Sequence, residues 1–121
     1  MAQRALTIPR PVAEALSRVQ GEFFALLFGK GNEVVYFVTV PRARMGGRTI
    51  ASPRELVKAL EEGLWKGFEL LGVYHAHPGA AIPSPKDALA MKAWSVMWVL
   101  RGSDGKLRGY KGWREVRVEV Q

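Results

Sequence analysis

The sequence predicts an α/β (α+β) fold in which one compact domain, residues 1–121, contains a mixed β-sheet flanked by helices. Three observations lead to this prediction. The length of 121 residues suits one domain. Segments with helical periodicity alternate with short apolar runs rich in β-formers. Two pairs of these runs are joined by turn residues, which is typical of hairpins. Hairpins give antiparallel pairs, whereas strands separated by helices can pair in parallel, so a mixed sheet is expected.

The N-terminal part predicts a helix followed by a hairpin. Residues 11–19 favour a short helix, because their apolar side chains recur on one helical face. The apolar run 23–28 is too short for a buried helix and indicates a covered strand. Turn residues at 29–32 and a Val-, Tyr- and Phe-rich run at 33–40 complete the predicted hairpin. Residues 41–49, with three arginines and a Gly-Gly pair, are interpreted as a flexible basic loop.

The middle of the chain predicts two helices that begin in the same way, with a strand between them. Ser52 is expected to cap the first of these helices, with proline in its first turn, and Gly67 to end it. A strand is predicted at 70–77. The pattern Ser-Pro-Lys-Asp then opens a further helix that runs from Ser84 to about Ala93. The apolar stripe of the first helix is predicted to be Leu56, Leu60 and Leu64.

The C-terminal part predicts a second hairpin and a last strand. The runs 96–101 and 106–110 flank a turn-forming Gly-Ser-Asp-Gly segment. Valines at 116, 118 and 120 alternate with Arg117 and Glu119, which indicates one half-exposed strand.

Composition excludes several kinds of chemistry. The chain has no cysteine, which rules out disulfides, thiolate zinc sites and cysteine nucleophiles. A peptidase of this composition must use a hydroxyl, a carboxylate pair or a metal. No apolar run is long enough to cross a membrane, and the N-terminus lacks the apolar core of a signal peptide, so a cytoplasmic location is expected. The net charge of +7 favours an acidic partner, which leaves nucleic acid, an anionic membrane or an acidic protein open, beside a merely basic surface.

The two histidines of the chain form a His-x-His pair. Because side chains on a strand alternate, His75 and His77 leave the same face, next to each other. Pro78 stops the strand, so the pair is expected at its C-terminal end, where sites on sheets tend to open. Neutral imidazole is a common zinc ligand. The alternative is a pair of polar residues on an edge strand with no ligand.

A carboxylate follows this pair in the first turn of the next predicted helix. Asp87 and the two histidines would leave one tetrahedral position open, as in catalytic zinc sites. Ser84 and Asp87 also have a purely structural interpretation, since Ser-x-x-Asp is a capping box and nearly the same pattern occurs at Ser52. Glu22, at the start of the first predicted core strand, is a candidate proton carrier for a metal-activated water. The alternative interpretation of Glu22 is a solvated surface charge with no catalytic role.

Taken together, these residues resemble the motif of the JAMM (MPN-plus) zinc metalloproteases. That motif has a glutamate, then His-Ser/Thr-His-Pro, then a serine and an aspartate with two residues between them. The resemblance implies a cytidine-deaminase-like JAB/MPN fold and one Zn2+ per chain. It also implies that Glu22 is the general acid/base and that Ser84 donates a hydrogen bond to the oxyanion. The implied metal ligands are His75, His77 and Asp87.

Two departures from the family pattern are present. Alanine stands at position 76, where the family usually has serine or threonine. The loop between His77 and Ser84 has six residues, one fewer than usual. Neither departure removes an expected ligand.

The resemblance also implies a reaction and a partner. It predicts a compact, prokaryotic JAB-type peptidase that cuts an amide bond at the C-terminus of a ubiquitin-like or sulfur-carrier protein. An extended Gly-Gly tail suits binding along a sheet edge. A homodimer is left open. Basic residues that would meet an acidic partner are Arg42, Arg44, Arg48 and Arg108.

Two alternatives belong to other classes. One is a non-catalytic basic module that binds nucleic acid through a stacking surface beside basic side chains. The other is a RadC-like protein with a DNA-related role, although the N-terminal helical region usual in RadC chains is not seen. The stacking surface would consist of Trp94, Trp98, Tyr110 and Trp113 near Arg101, Lys106, Arg108 and Lys111.

Overall fold

One mixed β-sheet organises the protein in the computed structural model, which describes residues 5–19, 23–45, 48–51, 53–76, 96–111 and 114–121. Within these ranges the chain forms two helices and nine strands. The strand order is β8-β7-β6-β5-β2-β3-β1-β9, with β4 paired to β3. The elements are β1 (Leu6–Ile8), α1 (Arg10–Arg18), β2 (Phe23–Lys30), β3 (Glu33–Met45), β4 (Arg48–Ala51), α2 (Pro53–Trp65), β5 (Glu69–Ala76), β6 (Met97–Arg101), β7 (Leu107–Lys111), β8 (Arg114–Val116) and β9 (Val118–Val120).

The central strands pair in both directions, as the sequence predicted. Strand β2 is antiparallel to both β3 and β5, whereas β5 and β6 are parallel. The first hairpin is confirmed, but its turn is tighter than the predicted 29–32, because Lys30 already pairs with Glu33. Gly31 takes a positive φ of 63° there, a conformation that glycine adopts at little cost.

The prediction of a flexible loop at 41–49 is wrong. Strand β3 continues to Met45 and pairs with β4, so that Met45 lies opposite Arg48. Only Gly46 and Gly47 stand between these partners in the sequence. Gly46 and Gly47 themselves lie outside the described residues. All three arginines of this segment therefore lie in strands.

Each face of the sheet is covered by one described helix. On the α1 face, Ala13 and Leu16 pack with Ala25, Leu27 and other buried side chains. On the α2 face, Ala59 of the helix belongs to a second core cluster, which contains Leu26, Phe28, Val40, Val73, Trp98, Leu100 and Tyr110. Because alternate residues of β2 enter both cores, its sequence is a continuous apolar run rather than an alternating one. The helix predicted at 11–19 is confirmed as α1.

Helix α2 lies close to the sheet through small residues. Its buried positions are Ala59 and Gly63, and a Cβ added at Gly63 would lie 2.3 Å from the Phe28 ring. Leu56 and Leu60 pack against the same core, as predicted. Leu64 does not, since it is 54% exposed. The buried stripe follows Gly63 instead, because only a residue without a side chain allows the helix to approach Phe28 so closely.

The end of α2 confirms the predicted role of Gly67. This residue has a φ of 83°, and its N–H donates to the carbonyl of Leu64 at 3.0 Å. The N–H of Phe68 donates to the carbonyl of Gly63 at 3.3 Å. These two bonds are those of a Schellman motif, which satisfies the last carbonyls of the helix. The predicted cap, Ser52, lies outside the described residues.

The C-terminal strands close the sheet on itself. The hairpin of β6 and β7 is confirmed, but the predicted single last strand is wrong: it divides at Arg117 into β8 and β9. Strand β8 pairs with β7 at one end of the sheet, and β9 pairs with β1 at the other. The Arg117 carbonyl accepts a hydrogen bond from the N–H of Leu6 at 3.0 Å. A sheet whose two ends are joined by one residue must curl strongly, and it wraps round the core on the α1 face.

In the described part of the chain, neither helix is long and apolar enough to span a membrane.

Candidate functional site

Three central strands meet at one end of the sheet. The parallel strands β5 and β6 end together there, with Ala76 opposite Arg101. Strand β2 begins at the same end, where Phe24 lies opposite His75. Strand β3 passes this point and continues into the hairpin with β4. The carboxyl ends of parallel strands are a common place for a site, and this end carries the candidate residue His75.

The imidazole of His75 lies on the α2 face and packs against an aromatic side chain. Its ring centroid is 5.1 Å from that of Phe24, with the two planes at 48°. Phe24 in turn meets the indole of Trp98 edge-on at 6.1 Å. His75 is half-buried, and its Nδ1 atom is shielded from solvent. The aromatic contacts therefore restrict the orientation of the ring at the end of β5.

The residue before His75 is anchored on the opposite face. The ring of Tyr74 stacks with that of Phe23, with 5.9 Å between the centroids, and the guanidinium carbon of Arg101 lies over the Tyr74 ring at 5.8 Å from its centroid. Burial raises the pKa of the Tyr74 hydroxyl above its ordinary value, and the positive charge of Arg101 opposes this shift. The end of β5 is thus fixed by aromatic packing on both faces.

The residue after His75 has a different environment. Ala76 is exposed and, by the alternation of the strand, its side chain leaves the face opposite to that of His75. A hydroxyl at this position, as the resembling family usually has, would also leave that opposite face. Replacement by alanine therefore removes no group from the His75 side of the strand.

The other predicted site residues lie outside the described residues. These are Glu22, His77, Ser84 and Asp87, so their convergence with His75 stays a prediction. Within the described ranges, no group of three or more histidine, aspartate and glutamate side chains is placed to hold a metal. What the structure does provide is one imidazole at a strand end, with one nitrogen shielded and the ring oriented by packing. That environment fits a zinc ligand, whose ring orientation is usually fixed by surrounding groups.

Two features of this end of the sheet were not predicted from the sequence. Phe24 was assigned only to a covered strand, and its contact with His75 depends on the register of β2 against β5. Arg101 was assigned to a stacking surface, whereas it lies over Tyr74. No local signal in the sequence gave the partner of either residue.

The surface proposed for nucleic-acid stacking is not present in the form predicted. Trp98 and Tyr110 are only 6% and 8% exposed and belong to the core on the α2 face. Bases stack on exposed aromatic faces, so these two side chains cannot serve that purpose. Trp94 and Trp113 lie outside the described residues.

Comparisons with known proteins agree with the fold. The model of the family described as prokaryotic homologs of the JAB domain matches residues 8–117. The chain is 35% identical over 107 residues to the desampylase of Pyrococcus furiosus, and the match covers 86% of this chain and 74% of the relative.

Two solved structures share the architecture. One is a JAB1/MPN domain protein from Archaeoglobus fulgidus, with a TM-score of 0.64, 19% identity and coverage of 94% of this chain and 97% of that one. The other was described as JAMM, a metalloprotease-like zinc site in the proteasome and signalosome; its TM-score is 0.58, with 16% identity and coverage of 98% and 99%. At these identities the structures establish the fold, and the family match spans most of the chain. The chain therefore belongs to the prokaryotic branch of the JAB family, the JAMM/MPN group that its histidine motif resembles.

Proposed function

We propose that this protein is a zinc-dependent JAMM-type peptidase that hydrolyses an amide bond at the C-terminus of a ubiquitin-like or sulfur-carrier protein. The observation that carries the proposal is the position of His75, oriented by Phe24 at the end of β5 where β2 begins. The 35% identity to a desampylase supports a deconjugating activity. In this proposal His75, His77 and Asp87 hold the zinc ion.

The register of the central strands supports a role for Glu22. In the described ladder, Phe24 pairs with His75 and Ala25 with Tyr74. The same register extended by two residues would put Glu22 opposite His77. Opposite residues of an antiparallel pair leave the same face of a sheet, about 5 Å apart. A carboxylate there would be close enough to exchange a proton with a water held between it and the histidines.

In the proposed mechanism the protein groups have separate tasks. Zinc, when bound, supplies Lewis acidity at the scissile carbonyl and the attacking water. Glu22 takes a proton from that water and passes it to the leaving amine, so that the products are a carboxylic acid and an amine. Ser84 donates a hydrogen bond to the developing oxyanion. The aromatic packing of His75 keeps its ring oriented through this sequence.

The β3–β4 hairpin supports a binding mode for the substrate tail. Among the described strands β4 pairs with β3 alone. We propose that the other backbone edge of β4 accepts an additional strand. An extended C-terminal tail can bind to such an edge by backbone hydrogen bonds. Because β4 is joined to the sheet through β3, we propose that the tail approaches the site from the β3 side of the sheet. The sequence of the hairpin contains Arg42, Arg44 and Arg48, which suits an acidic ubiquitin-like partner.

The proposal is tested with zinc-loaded protein and ubiquitin-like proteins that carry short C-terminal extensions. We expect about one zinc per chain and release of the extension after the terminal glycine. The variant Glu22→Gln should retain zinc and lose cleavage, whereas His75→Ala should lose zinc affinity and cleavage together. Zinc-free wild-type protein, or unchanged cleavage by Glu22→Gln, would contradict the proposal.

A further inference from the structure

Helix α2 carries large apolar side chains on its solvent side. Val57, Leu64 and Trp65 are 52%, 54% and 87% exposed. Single exposed apolar residues are common and need no explanation, whereas several that lie together are typical of a surface that binds another protein. The arrangement of these side chains on the helix therefore decides what they imply.

Trp65 ends a straight row of side chains on the outer face of α2. The row consists of four exposed residues, Arg54, Lys58, Glu61 and Trp65. They are spaced by four, three and four residues, and an α-helix turns by about 100° per residue, so they lie one above the other along the helix. The buried residues of the same helix, Ala59 and Gly63, lie on its opposite side. The row therefore points away from the sheet.

The charge of this row changes sign along the helix. Arg54 and Lys58 make its first half positive, whereas Glu61 is negative and Trp65 ends the row with an aromatic ring. Among the described residues, none of the three charged side chains takes part in an ion pair. The face of an aromatic ring is the negative part of its quadrupole. A row with positive groups at one end and these groups at the other is complementary to itself when it is turned end to end.

A second copy of the chain fits this row if the two α2 helices run antiparallel. A twofold axis midway between residues 58 and 61 places Lys58 of each copy opposite Glu61 of the other. The same axis places each Arg54 opposite the Trp65 ring of the other copy, where a guanidinium is attracted to the face of the indole. Parallel helices would instead place each charge opposite the same charge. The charge order therefore selects the antiparallel pair, in which both copies use the same surface.

The remaining exposed apolar side chains of α2 fit the same arrangement. Val57 and Leu64 lie beside the row on one flank of the helix, seven residues apart. A twofold axis perpendicular to the helices keeps this flank next to the same flank of the second copy. Val57 of each copy then lies level with residue 62 of the other, between Val57 and Leu64. One helix–helix contact thus covers all three exposed apolar side chains.

We propose that the outer face of α2 is a homodimer interface, in which two α2 helices pack antiparallel about a twofold axis. The inference goes beyond the proposed hydrolysis, because it concerns the side of α2 that points away from the sheet and from His75. Each helix is about 20 Å long, so their contact belongs to the small interfaces, below about 1,200 Å2, that are typical of weak complexes. We therefore expect a reversible dimer with a dissociation constant in the micromolar range.

The charges of α2 favour a second copy over a nucleic acid or an acidic protein. The helix carries two basic and three acidic residues, whereas the whole chain has a net charge of +7. A polyanion would be repelled by Glu55, Glu61 and Glu62. Two copies that meet through α2 bring together the part of the surface where the repulsion between two basic proteins is weak.

Sedimentation velocity of the full chain, from about 1 μM to about 1 mM, tests the dimer. The wild type should change from monomer to dimer over this range. Lys58→Glu and Glu61→Lys should each weaken association by about tenfold or more, because each places like charges opposite one another twice. Trp65→Ala should have an effect of similar size, since Trp65 is the largest side chain in the contact.

A charge exchange tests the antiparallel pairing itself. The double variant Lys58→Glu/Glu61→Lys restores opposite charges across the axis, so it should dimerise as the wild type does. A mixture of the two single variants should form a heterodimer, although neither variant associates well alone. The matched control, Arg114→Glu, makes the same charge change on β8 and should leave dimerisation unchanged. Circular dichroism of the dilute variants should match that of the wild type.

A second measurement needs only the wild-type protein. Acrylamide quenching of tryptophan fluorescence should decrease as the protein concentration rises, because Trp65 loses its exposure in the dimer. A chain that stays monomeric over the whole range, or single variants that dimerise as the wild type does, would overturn the proposal. A double variant that remains monomeric would exclude the antiparallel pairing. A monomeric wild type that binds a ubiquitin-like protein through Trp65 would assign this face to that partner instead.

Discussion

Phe24 and His75 face each other across the β2–β5 pair, with ring centroids 5.1 Å apart and planes at 48°. Phe24 thereby connects a candidate zinc ligand to the core on the α2 face, through its contact with Trp98. Because the Phe24 ring is held by apolar packing and contacts His75, substitutions at Phe24 should change the zinc affinity of the candidate site.

The variant Phe24→Ala should weaken zinc binding by about tenfold or more, because residues that orient a ligand commonly have effects of this size. Zinc affinity is measured by competition with a chelator. Phe24 is half-buried, so the free energy of unfolding should also fall, by about 2 kcal/mol.

The control for this prediction is Phe24→Leu, which keeps most of the apolar volume. Its unfolding free energy should stay within about 1.5 kcal/mol of the wild type. If Phe24→Ala binds zinc as tightly as the wild type, the orientation of His75 does not depend on this contact.

The variant Gly63→Ala should destabilise the protein by about 1–3 kcal/mol, since its Cβ would lie 2.3 Å from the Phe28 ring and α2 would have to move away from the sheet. Chemical denaturation gives the free energy of unfolding. The neighbouring change Leu64→Ala removes an exposed side chain and should alter that free energy by no more than about 0.5 kcal/mol. A Gly63→Ala protein as stable as the wild type would mean that α2 does not approach Phe28 so closely.

Helix α2 shows which structural features could be predicted from the sequence and which could not. The cap at Gly67 was predictable, because a glycine that follows the apolar stripe of a helix commonly adopts the positive φ that ends the helix. The exposure of Leu64 was not, since leucines at 56, 60 and 64 have the spacing of a buried stripe and only the closeness of Phe28 selects Gly63. Periodicity and capping residues were enough to predict helix α2. Its buried face depended on the contact with Phe28 of β2, which is distant in the sequence.

The topology of the C-terminal strands also depends on contacts that are distant in the sequence. Valines at 116, 118 and 120 alternate in a way that fits one continuous strand equally well. The division at Arg117 follows from the curl of the whole sheet, which brings β1 next to the residues after β8. For the candidate site, alternation and Pro78 sufficed to put His75 at a strand end, but its neighbour Phe24 could not be found without the register.

The tyrosines provide a prediction about alkaline pH. All three have a raised pKa: that of Tyr36 mainly through its hydrogen bond to the Glu62 carboxylate, and those of Tyr74 and Tyr110 mainly through burial. A raised pKa means that folding favours the protonated hydroxyl. This contribution to stability is fully present below the unfolded pKa of 10.0 and is lost as the pH rises through the folded pKa.

Tyrosinate absorbance should therefore appear above pH 10.0 in the folded protein, and the free energy of unfolding should decrease over the same range. Glu62→Gln should shift one tyrosine back towards its ordinary pKa. Arg101→Gln should shift another still higher, because the Arg101 charge lowers the pKa of Tyr74. Three tyrosines that titrate together near 10.0 in the native protein would contradict these environments.

The variant Ala76→Ser restores the residue type usual in the family and should change little. Its side chain is exposed and leaves the face opposite to His75, so an added hydroxyl meets water rather than the candidate metal site. We expect zinc affinity within about twofold of the wild type and an unfolding free energy within about 0.5 kcal/mol. The control, His75→Ala, removes the neighbouring ligand candidate and should abolish tight zinc binding. A large gain in zinc affinity for Ala76→Ser would show that the hydroxyl acts on the site through a route other than the face it occupies. Alanine would then be a cause of weaker metal binding in this chain rather than a neutral replacement.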